Sequence, residues 1–275
     1  MSRVYRALEK AEKERQDKEK AETLFDILKE KPDSSKEESS VENLEVGMKR
    51  WEQPSKREES LIFIASPLSP AAEQFRKLRT HILYRLPHRP RIILISSAMP
   101  SEGKTMLAMN LALSISQELT KKVILIDADL RKPNIYPKSY PRGLSEYLSE
   151  EISLADIMMN FGAENFMIIP AGIRSGKSAE LIGSKKMREL IVNLREFGED
   201  TYVLIDSSPV LATSEPLLLA ELVDGVIFVV MAGQTPKGSV RRAIESVGRQ
   251  KVIGVVFNRM NYKGALDYDA HYRYE

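Results

Sequence analysis

The stretch RIILISSAMPSEGKT, residues 91–105, contains the features that decide the fold. It opens with an apolar run, Arg91–Ser96, that is rich in isoleucine and typical of a buried strand. Residues 98–105 then match the phosphate-binding pattern G-x-x-x-x-G-K-[ST], except that Ala98 replaces the first glycine. A helical segment follows from Thr105. A strand, a tight loop and a helix N-terminus in this order can cradle phosphate oxygens, so the stretch predicts a nucleotide site.

Five further apolar runs share this composition and lack the alternation of half-buried strands. They are Lys122–Ile126, Phe166–Ile169, Tyr202–Ile205, Gly225–Val230 and Val252–Phe257. The helical segments between the runs are Thr105–Leu119, Lys185–Phe197, Glu215–Leu222 and Gly238–Gln250. Strands alternating with helices predict an α/β fold with a doubly wound, mostly parallel sheet of the P-loop NTPase type. Ligands of such sheets bind beyond the carboxyl ends of the strands.

The first 60 residues differ from the rest, because half of them are charged. They predict a charged N-terminal extension, with a helix over residues 2–22 and a flexible linker over 31–60. That helix has only a thin apolar stripe, so it is either a solvated tail or a segment that docks on a partner. We expect a P-loop domain over residues 61–261 and a tyrosine-rich tail over 262–275.

Composition excludes several classes of protein. The 275 residues include no cysteine, which rules out disulfides and thiolate sites. The net charge of +2 does not suggest a nucleic-acid partner. The longest apolar run, near Val226–Ala232, is far shorter than the ~18 residues of a membrane-spanning helix. With no secretory signal at its start, the chain is expected to be cytoplasmic.

A second glycine-lysine-serine sequence, GIRSGKS at residues 172–178, also follows an apolar run. It has one residue too few between its glycines to form the phosphate-binding loop. We therefore interpret it as a polar loop in which Ser178 caps a following helix.

Carboxylates follow two of the predicted strands. Asp127 and Asp129 come after the run Lys122–Ile126, and Asp206 comes after Tyr202–Ile205. The carboxyl ends of parallel strands meet at one sheet edge, and carboxylate oxygens suit Mg²⁺. An aspartate at a strand end can also merely cap the next helix, but three of them beside a phosphate loop favour a metal site.

Three stretches together resemble one family. Residues 96–105 (SSAMPSEGKT), 123–133 (VILIDADLRKP) and 203–211 (VLIDSSPVL) are similar to the Walker A, A′ and B motifs of the bacterial tyrosine kinases. This family, related to the MinD/ParA-type ATPases, controls capsule and exopolysaccharide synthesis. The similarity runs from about Leu61 to the end of the sequence. It implies an ATP-dependent autokinase that uses ATP and Mg²⁺.

The resemblance also implies roles for individual residues. Nucleotide-binding positions are Ser101, Glu102, Gly103, Lys104, Thr105, Met106, Arg131 and Asn258. Metal-binding positions are Thr105, Asp127, Asp129 and Asp206. The catalytic residues are Lys104, Asp127 and Asp129, with Asp127 as the base.

The sequence departs from the family pattern at a few positions. Ser101 stands where the family has glycine, residues 174–178 (RSGKS) replace a proline-rich stretch, and Ser208 replaces a proline. Met99 occupies the position of the signature lysine of MinD/ParA proteins, which weighs against a ParA-like function. A MinD/ParA-like switch without kinase activity stays open, as does a nucleotide-binding scaffold that has lost catalysis.

Four tyrosines, Tyr262, Tyr268, Tyr272 and Tyr274, lie within the last 14 residues. They either pack onto a sheet edge or, as the resemblance implies, accept phosphate from another copy. Upstream, Ser69 and Pro70 predict a helix start, with an apolar stripe at Phe75, Leu78, Ile82 and Leu86.

Glu73, Arg76 and Arg79 lie on another side of that helix. They form a solvated face or, by resemblance, contact the next subunit of a homo-oligomeric ring. The family further implies a transmembrane chain-length-determinant protein as activating partner, which recruits the chain to the inner face of the plasma membrane.

Overall fold

The structure is a computed structural model that describes residues 69–135, 142–161 and 163–260. The predicted N-terminal helix and linker lie outside the described residues. So do the four tail tyrosines Tyr262, Tyr268, Tyr272 and Tyr274. Within the described ranges, no helix is long and apolar enough to cross a membrane.

Among the described residues, seven strands form one sheet with the order β3-β4-β2-β5-β1-β6-β7. They are β1 Ile92–Ser97, β2 Lys122–Asp127, β3 Met159–Phe161, β4 Ala163–Ile169, β5 Thr201–Asp206, β6 Gly225–Met231 and β7 Val252–Asn258. Neighbouring strands are parallel except β3, which pairs with β4 in the antiparallel direction. The six predicted strands and the doubly wound, mostly parallel sheet are confirmed. The short edge strand β3 was not predicted, since its sequence Met-Asn-Phe has no apolar run.

In the part of the chain that the structure describes, seven α-helices connect or precede the strands. They are α1 Pro70–Thr80, α2 Lys104–Ser116, α3 Leu144–Ser149, α4 Ser178–Ile182, α5 Lys185–Arg195, α6 Glu215–Ala220 and α7 Lys237–Val247. A π-helical turn, His81–Arg85, continues α1, and a 3-10 turn precedes β7. The four helices predicted between the strands exist, although each ends two or three residues earlier than expected.

Both faces of the sheet are covered, which explains the continuous apolar runs in its central strands. On one face, Ile92, Leu94 and Phe228 join a core with residues of α3 to α7. On the other face, Ile93 and Ile95 pack with α1 and α2. The alternate side chains of β1 thus serve two cores, and every residue of β1 is buried.

The start of α1 follows the expected capping pattern. The Ser69 hydroxyl accepts a hydrogen bond from Ala72 N–H at 3.1 Å, and Pro70 occupies the first helical position. Phe75 and Ile82 are buried, so the predicted apolar stripe is the packed face. This helix leads into β1 through the turn after Arg85.

The polar residues of α1 divide into two groups. Glu73 and Arg76 form an ion pair of 2.7 Å on the partly exposed side of the helix. Arg79 instead donates to Ser114 O at 2.8 Å and pairs with Glu118 at 3.0 Å, which joins α1 to α2. Arg79 is thus engaged within its own subunit, and the outward part of the predicted oligomer contact is Glu73 and Arg76.

Candidate nucleotide and metal site

The loop between β1 and α2 has two residues in the left-handed region. Gly103 has a φ of +97°, and a Cβ built there would lie 2.0 Å from Nδ2 of Asn258. Ser101 has a φ of +63°. The left-handed region is unfavourable for residues with a Cβ, which gives a physical reason for the family's glycine at position 101. Ser101 therefore keeps the loop shape at a conformational cost.

The Glu102 side chain stabilises this loop through hydrogen bonds. Its carboxylate is buried and accepts from Met99 N–H at 2.6 Å, from Met231 N–H at 3.3 Å and from the Thr235 hydroxyl. Asn258 Nδ2 donates to the Glu102 carbonyl at 2.9 Å. The side chains of Glu102 and Asn258 thus shape the loop and tie it to the ends of β6 and β7.

Helix α2 begins at Lys104, directly after Gly103 of the loop. The first N–H groups of a helix, here those of Lys104, Thr105 and Met106, have no acceptor within the helix and favour an anion. The Lys104 side chain is buried. Burial lowers the pKa of Lys104, while the nearby Asp206, Asp129 and Glu102 oppose this shift. The free N–H groups and the Lys104 side chain together provide the donors and positive charge that a chain of phosphates needs.

Two carboxylates face each other at the strand ends. Asp127 of β2 and Asp206 of β5 are direct partners in the parallel register. The Thr105 hydroxyl donates to Oδ2 of Asp206 at 2.6 Å. Burial, followed by the charge of Asp127, raises the pKa of Asp206. Its Oδ1 is buried without a hydrogen-bond partner among the described residues.

A divalent cation fits this arrangement, because it would give the unpartnered oxygen of Asp206 a ligand and offset the paired negative charges. Among the described residues, however, no three acidic, histidine or cysteine side chains converge as a direct ligand set. The structure brings the predicted metal residues to the same edge of the sheet, but they do not form a closed set of direct ligands. These residues are Thr105, Asp127, Asp129 and Asp206. Mg²⁺ commonly keeps several waters and uses one or two carboxylates, which suits such a site.

Asp127 also organises the loop that follows it. Its Oδ1 accepts from Asp129 N–H at 3.1 Å, and its Oδ2 accepts from the N–H groups of Asn134 and Ile135 at 3.0 Å each. Burial raises the pKa of Asp127 to about 6, although these amides oppose the shift. Since a carboxylate oxygen has two acceptor positions, Oδ1 keeps one for another hydrogen bond.

Asp129 lies at the rim of this edge and is 9% exposed. Its Oδ1 accepts from Lys132 N–H at 3.0 Å. Burial raises the pKa of Asp129, while hydrogen bonding to Lys132 N–H and the charge of Lys104 oppose the rise. Lys104 and Asp129 are therefore electrostatic neighbours, as the predicted site requires.

Arg131 contacts a residue that the sequence interpretation did not single out. Its Nε donates to Oε1 of Glu215 at 2.6 Å, and the arginine side chain is 49% exposed. The same oxygen accepts the Ser178 hydroxyl at 2.5 Å. Glu215 thus fastens the segments after β2 and β4 to the start of α6. Acidic residues are common in the first turn of a helix, where they interact favourably with its dipole. No signal in the sequence therefore indicated that Glu215 has a further role.

The second glycine-lysine-serine sequence has a packing role. Gly172 has a φ of +81°, and a Cβ there would lie 1.9 Å from a carboxylate oxygen of Glu146. Ser175 N–H donates to Leu130 O at 3.1 Å, which joins this loop to the Asp129 segment. The predicted cap by Ser178 is wrong, because its hydroxyl bonds Glu215 and α4 begins at this residue.

Comparison with known proteins agrees with this geometry. The AAA domain family model matches residues 90–241. The tyrosine-protein kinase YwqD of Bacillus subtilis is 31% identical over 210 residues, which cover 74% of this chain and 87% of YwqD. The succinoglycan biosynthesis transport protein ExoP of Rhizobium meliloti is 34% identical over 227 residues, or 78% of this chain and 28% of ExoP.

Solved structures give the same result. The crystal structure of the chimerical protein CapA2B2 has a TM-score of 0.67 and 28% identity, over 73% of this chain and 90% of that one. The MinD protein of Pyrococcus horikoshii, complexed with Mg-ADP, has a TM-score of 0.53 and 21% identity, over 63% of this chain and 72% of that one. At that identity the likeness to MinD shows the fold alone. The family model and the YwqD alignment establish that the chain belongs to the bacterial tyrosine-protein kinase family of P-loop proteins.

Proposed function

We propose that this protein is an ATP-dependent protein-tyrosine autokinase that phosphorylates its C-terminal tyrosines and thereby regulates exopolysaccharide or capsule synthesis. The observation that carries the proposal is the contact between Thr105 and Asp206, beside the N-terminus of α2. It joins the end of the phosphate-binding loop to the acidic strand end. The kinase names of relatives such as YwqD favour tyrosine as the acceptor.

The triphosphate would bind to the backbone N–H groups of residues 101–106, with Lys104 neutralising its charge. Thr105 and Asp206 would hold Mg²⁺, with Asp127 and Asp129 acting on its water ligands. When bound, the ion would neutralise charge on the transferred phosphoryl group. Arg131 would add positive charge at the rim, and Asn258 would act through the loop that it supports.

Asp127 is the proposed base for the transfer. The acceptor tyrosine oxygen bonds to the γ-phosphorus as the bond to the β,γ-bridging oxygen breaks, and the phenolic proton passes to Asp127. The products are phosphotyrosine and ADP. A raised pKa favours this role, because a carboxylate with a pKa of about 6 accepts protons better than an ordinary aspartate.

The uncharged side chain of Met99 favours this proposal over a MinD/ParA-like switch. A lysine at that position would supply charge to a partner's nucleotide, whereas Met99 is 42% exposed and uncharged. We therefore place the kinase first and keep the ATPase switch as the alternative that the experiment below separates.

The assembly belongs to the same proposal. Glu73 and Arg76 would contact the next subunit of a ring, with Arg79 holding α1 in place. Residues 1–60 would form the extension, 61–261 the kinase domain and 262–275 the substrate tail. A transmembrane polysaccharide chain-length-determinant protein would recruit the chain to the cytoplasmic face of the membrane. The name of the relative ExoP supports a link to polysaccharide transport.

The direct test is incubation of the full chain with Mg-ATP, followed by mass spectrometry of residues 262–275. We expect phosphate on tail tyrosines in the wild type and none in Lys104→Ala. Arg249→Ala, at an exposed position before β7, serves as the control and should match the wild type. ATP hydrolysis without any phosphotyrosine would instead establish the switch, and absence of nucleotide binding would refute both functions.

A further inference from the structure

The loops after β2 and β4 form a positively charged rim next to the site. We define this rim as Arg131, Lys132, Arg174 and Lys177, all of which are exposed. Their closeness follows from two contacts. Ser175 N–H donates to Leu130 O at 3.1 Å, and Ser178 and Arg131 meet on one oxygen of Glu215.

The basic rim lies close to the proposed nucleotide and metal site. The charge of Lys132 acts on Lys104 of the phosphate loop, and Glu215 acts on Asp129. Acidic groups also lie nearby, since Glu215, Glu180 and Asp129 all interact with Arg131. Three carboxylates against four cations leave a local excess of one positive charge. The carboxylate of Glu215 is buried in its ion pair with Arg131, whereas the basic side chains of the rim are exposed to solvent.

The tail tyrosines differ in the charge of their neighbours. Tyr268 lies between Asp267 and Asp269, so its immediate flanks carry two negative charges. Tyr262 is followed by Lys263, and Tyr272 lies between a histidine and Arg273. Only one of the four acceptors is therefore flanked by carboxylates on both sides.

We propose that the basic rim is the docking surface for residues 267–269 of a second copy's tail, and that it makes Tyr268 the preferred acceptor. This inference rests on the kinase function proposed above and adds a basis for the choice among tyrosines. Oppositely charged surfaces both raise encounter rates and fix register, which favours Tyr268 over tyrosines beside basic residues.

The test uses two full-length chains. The donor has its four tail tyrosines replaced by phenylalanine, and the acceptor carries Lys104→Ala, so every phosphate on the acceptor tail is transferred in trans. Donors with Arg174→Glu and Lys177→Glu are compared with control donors carrying Arg85→Glu and Arg249→Glu. The control residues are exposed at the opposite, amino end of the sheet.

We expect the wild-type and control donors to phosphorylate Tyr268 about fivefold faster than Tyr272 at low salt, a preference that fades at high salt. The rim variant should lose the preference while binding ATP normally. An acceptor with Asp267→Lys and Asp269→Lys should recover phosphorylation at Tyr268 with the rim variant. Unchanged preference in the rim variant, or no recovery with the exchanged charges, would overturn the proposal.

A binding measurement keeps docking separate from catalysis. Fluorescence anisotropy follows a labelled peptide of residues 262–275 as it binds the full-length donor. Weaker binding by the rim variant than by the control supports docking even where no donor transfers phosphate, in which case the kinase proposal alone fails. Equal binding by the two variants refutes the docking surface.

Discussion

The hydroxyl of Thr105 donates to Asp206 at 2.6 Å, although the two residues are 101 positions apart in the sequence. The bond joins the first turn of α2 to the end of β5, so the phosphate-binding and acidic parts of the site form one unit. It also holds a buried carboxylate that has a second, unpartnered oxygen among the described groups. Burial of this carboxylate therefore lowers stability, and the proposed binding of a cation and nucleotide would offset that loss.

Asp206→Asn should stabilise the protein when no nucleotide is bound. Burial raises the pKa of Asp206 to about 8 in the folded state, so the fold loses stability as pH rises from the ordinary value of 3.8 to about 8, where the unfolded chain is ionised and the folded one keeps its proton. We expect a melting temperature about 2–4 °C higher at neutral pH, with no gain below pH ~4. Mg-nucleotide should then stabilise the variant less than the wild type.

Differential scanning fluorimetry across pH checks this result. Glu199→Gln removes an exposed carboxylate near β5 and should leave the melting temperature unchanged. A lower melting temperature for Asp206→Asn would mean that the ionised carboxylate stabilises the empty site.

Gly103→Ala should destabilise the phosphate loop. The new Cβ would meet Asn258 at 2.0 Å, and alanine is unfavourable at a φ of +97°. We expect a loss of about 2 kcal/mol in unfolding free energy and at least tenfold weaker nucleotide binding. Adding Asn258→Ala should recover only part, because the φ penalty remains.

Urea unfolding and calorimetric titration with ADP measure both effects. Gly238→Ala, in the first turn of α7, has nothing within 4 Å of its added Cβ and serves as the control. Full recovery in the Gly103 and Asn258 double variant would show that the clash alone matters.

Glu215→Gln should separate loop positioning from nucleotide binding. A neutral amide weakens the hydrogen bonds from Arg131 and Ser178, each of which now ends on a carboxylate. We expect a loss of about 1–2 kcal/mol in unfolding free energy and slower phosphoryl transfer, with ADP affinity unchanged. Glu180→Gln, on the exposed side of α4, should keep the wild-type stability. A purely structural Glu215 would lower both rates and ADP affinity in proportion to the unfolded fraction.

Asp224→Asn should reduce stability in a way that depends on pH. Burial raises the pKa of Asp224, but hydrogen bonds from Ile92 N–H, Arg195 and Arg91 N–H outweigh it, and the net pKa is lowered. The ionised group therefore stabilises the fold above the unfolded value of 3.8, and this contribution disappears as pH falls below it. We expect the variant to lose about 1–3 kcal/mol at neutral pH.

Urea unfolding at pH 7 and pH 3 checks the sign, because the difference between wild type and variant should shrink in acid. Asp200→Asn removes a more exposed ion pair with Lys121 and should cost less. A difference that grows in acid would contradict the assignment.

Structural features that depend on a continuous local sequence pattern could be predicted from the sequence. The central strands are runs of isoleucine and valine, and strand ends dictate that Asp127 and Asp206 meet. The three-residue strand β3 was missed because its pairing with β4 is a tertiary property. Likewise, Glu215 acquires its role only when the loops after β2 and β4 come together. The bond from Arg79 to α2 also depends on packing, so spacing on α1 alone did not predict it.

The contact between Asn258 and the phosphate loop has a geometrical consequence for the tail. Asn258 ends β7 and holds the Glu102 carbonyl, so the polypeptide departs toward the tyrosines from a point already fixed against the nucleotide loop. Tyr262 is four residues further on, and a stretched segment of that length spans only about 14 Å. Under the kinase function proposed above, the first of the proposed acceptors would therefore stay within this distance of Asn258, whereas Tyr268, Tyr272 and Tyr274 have longer connecting segments.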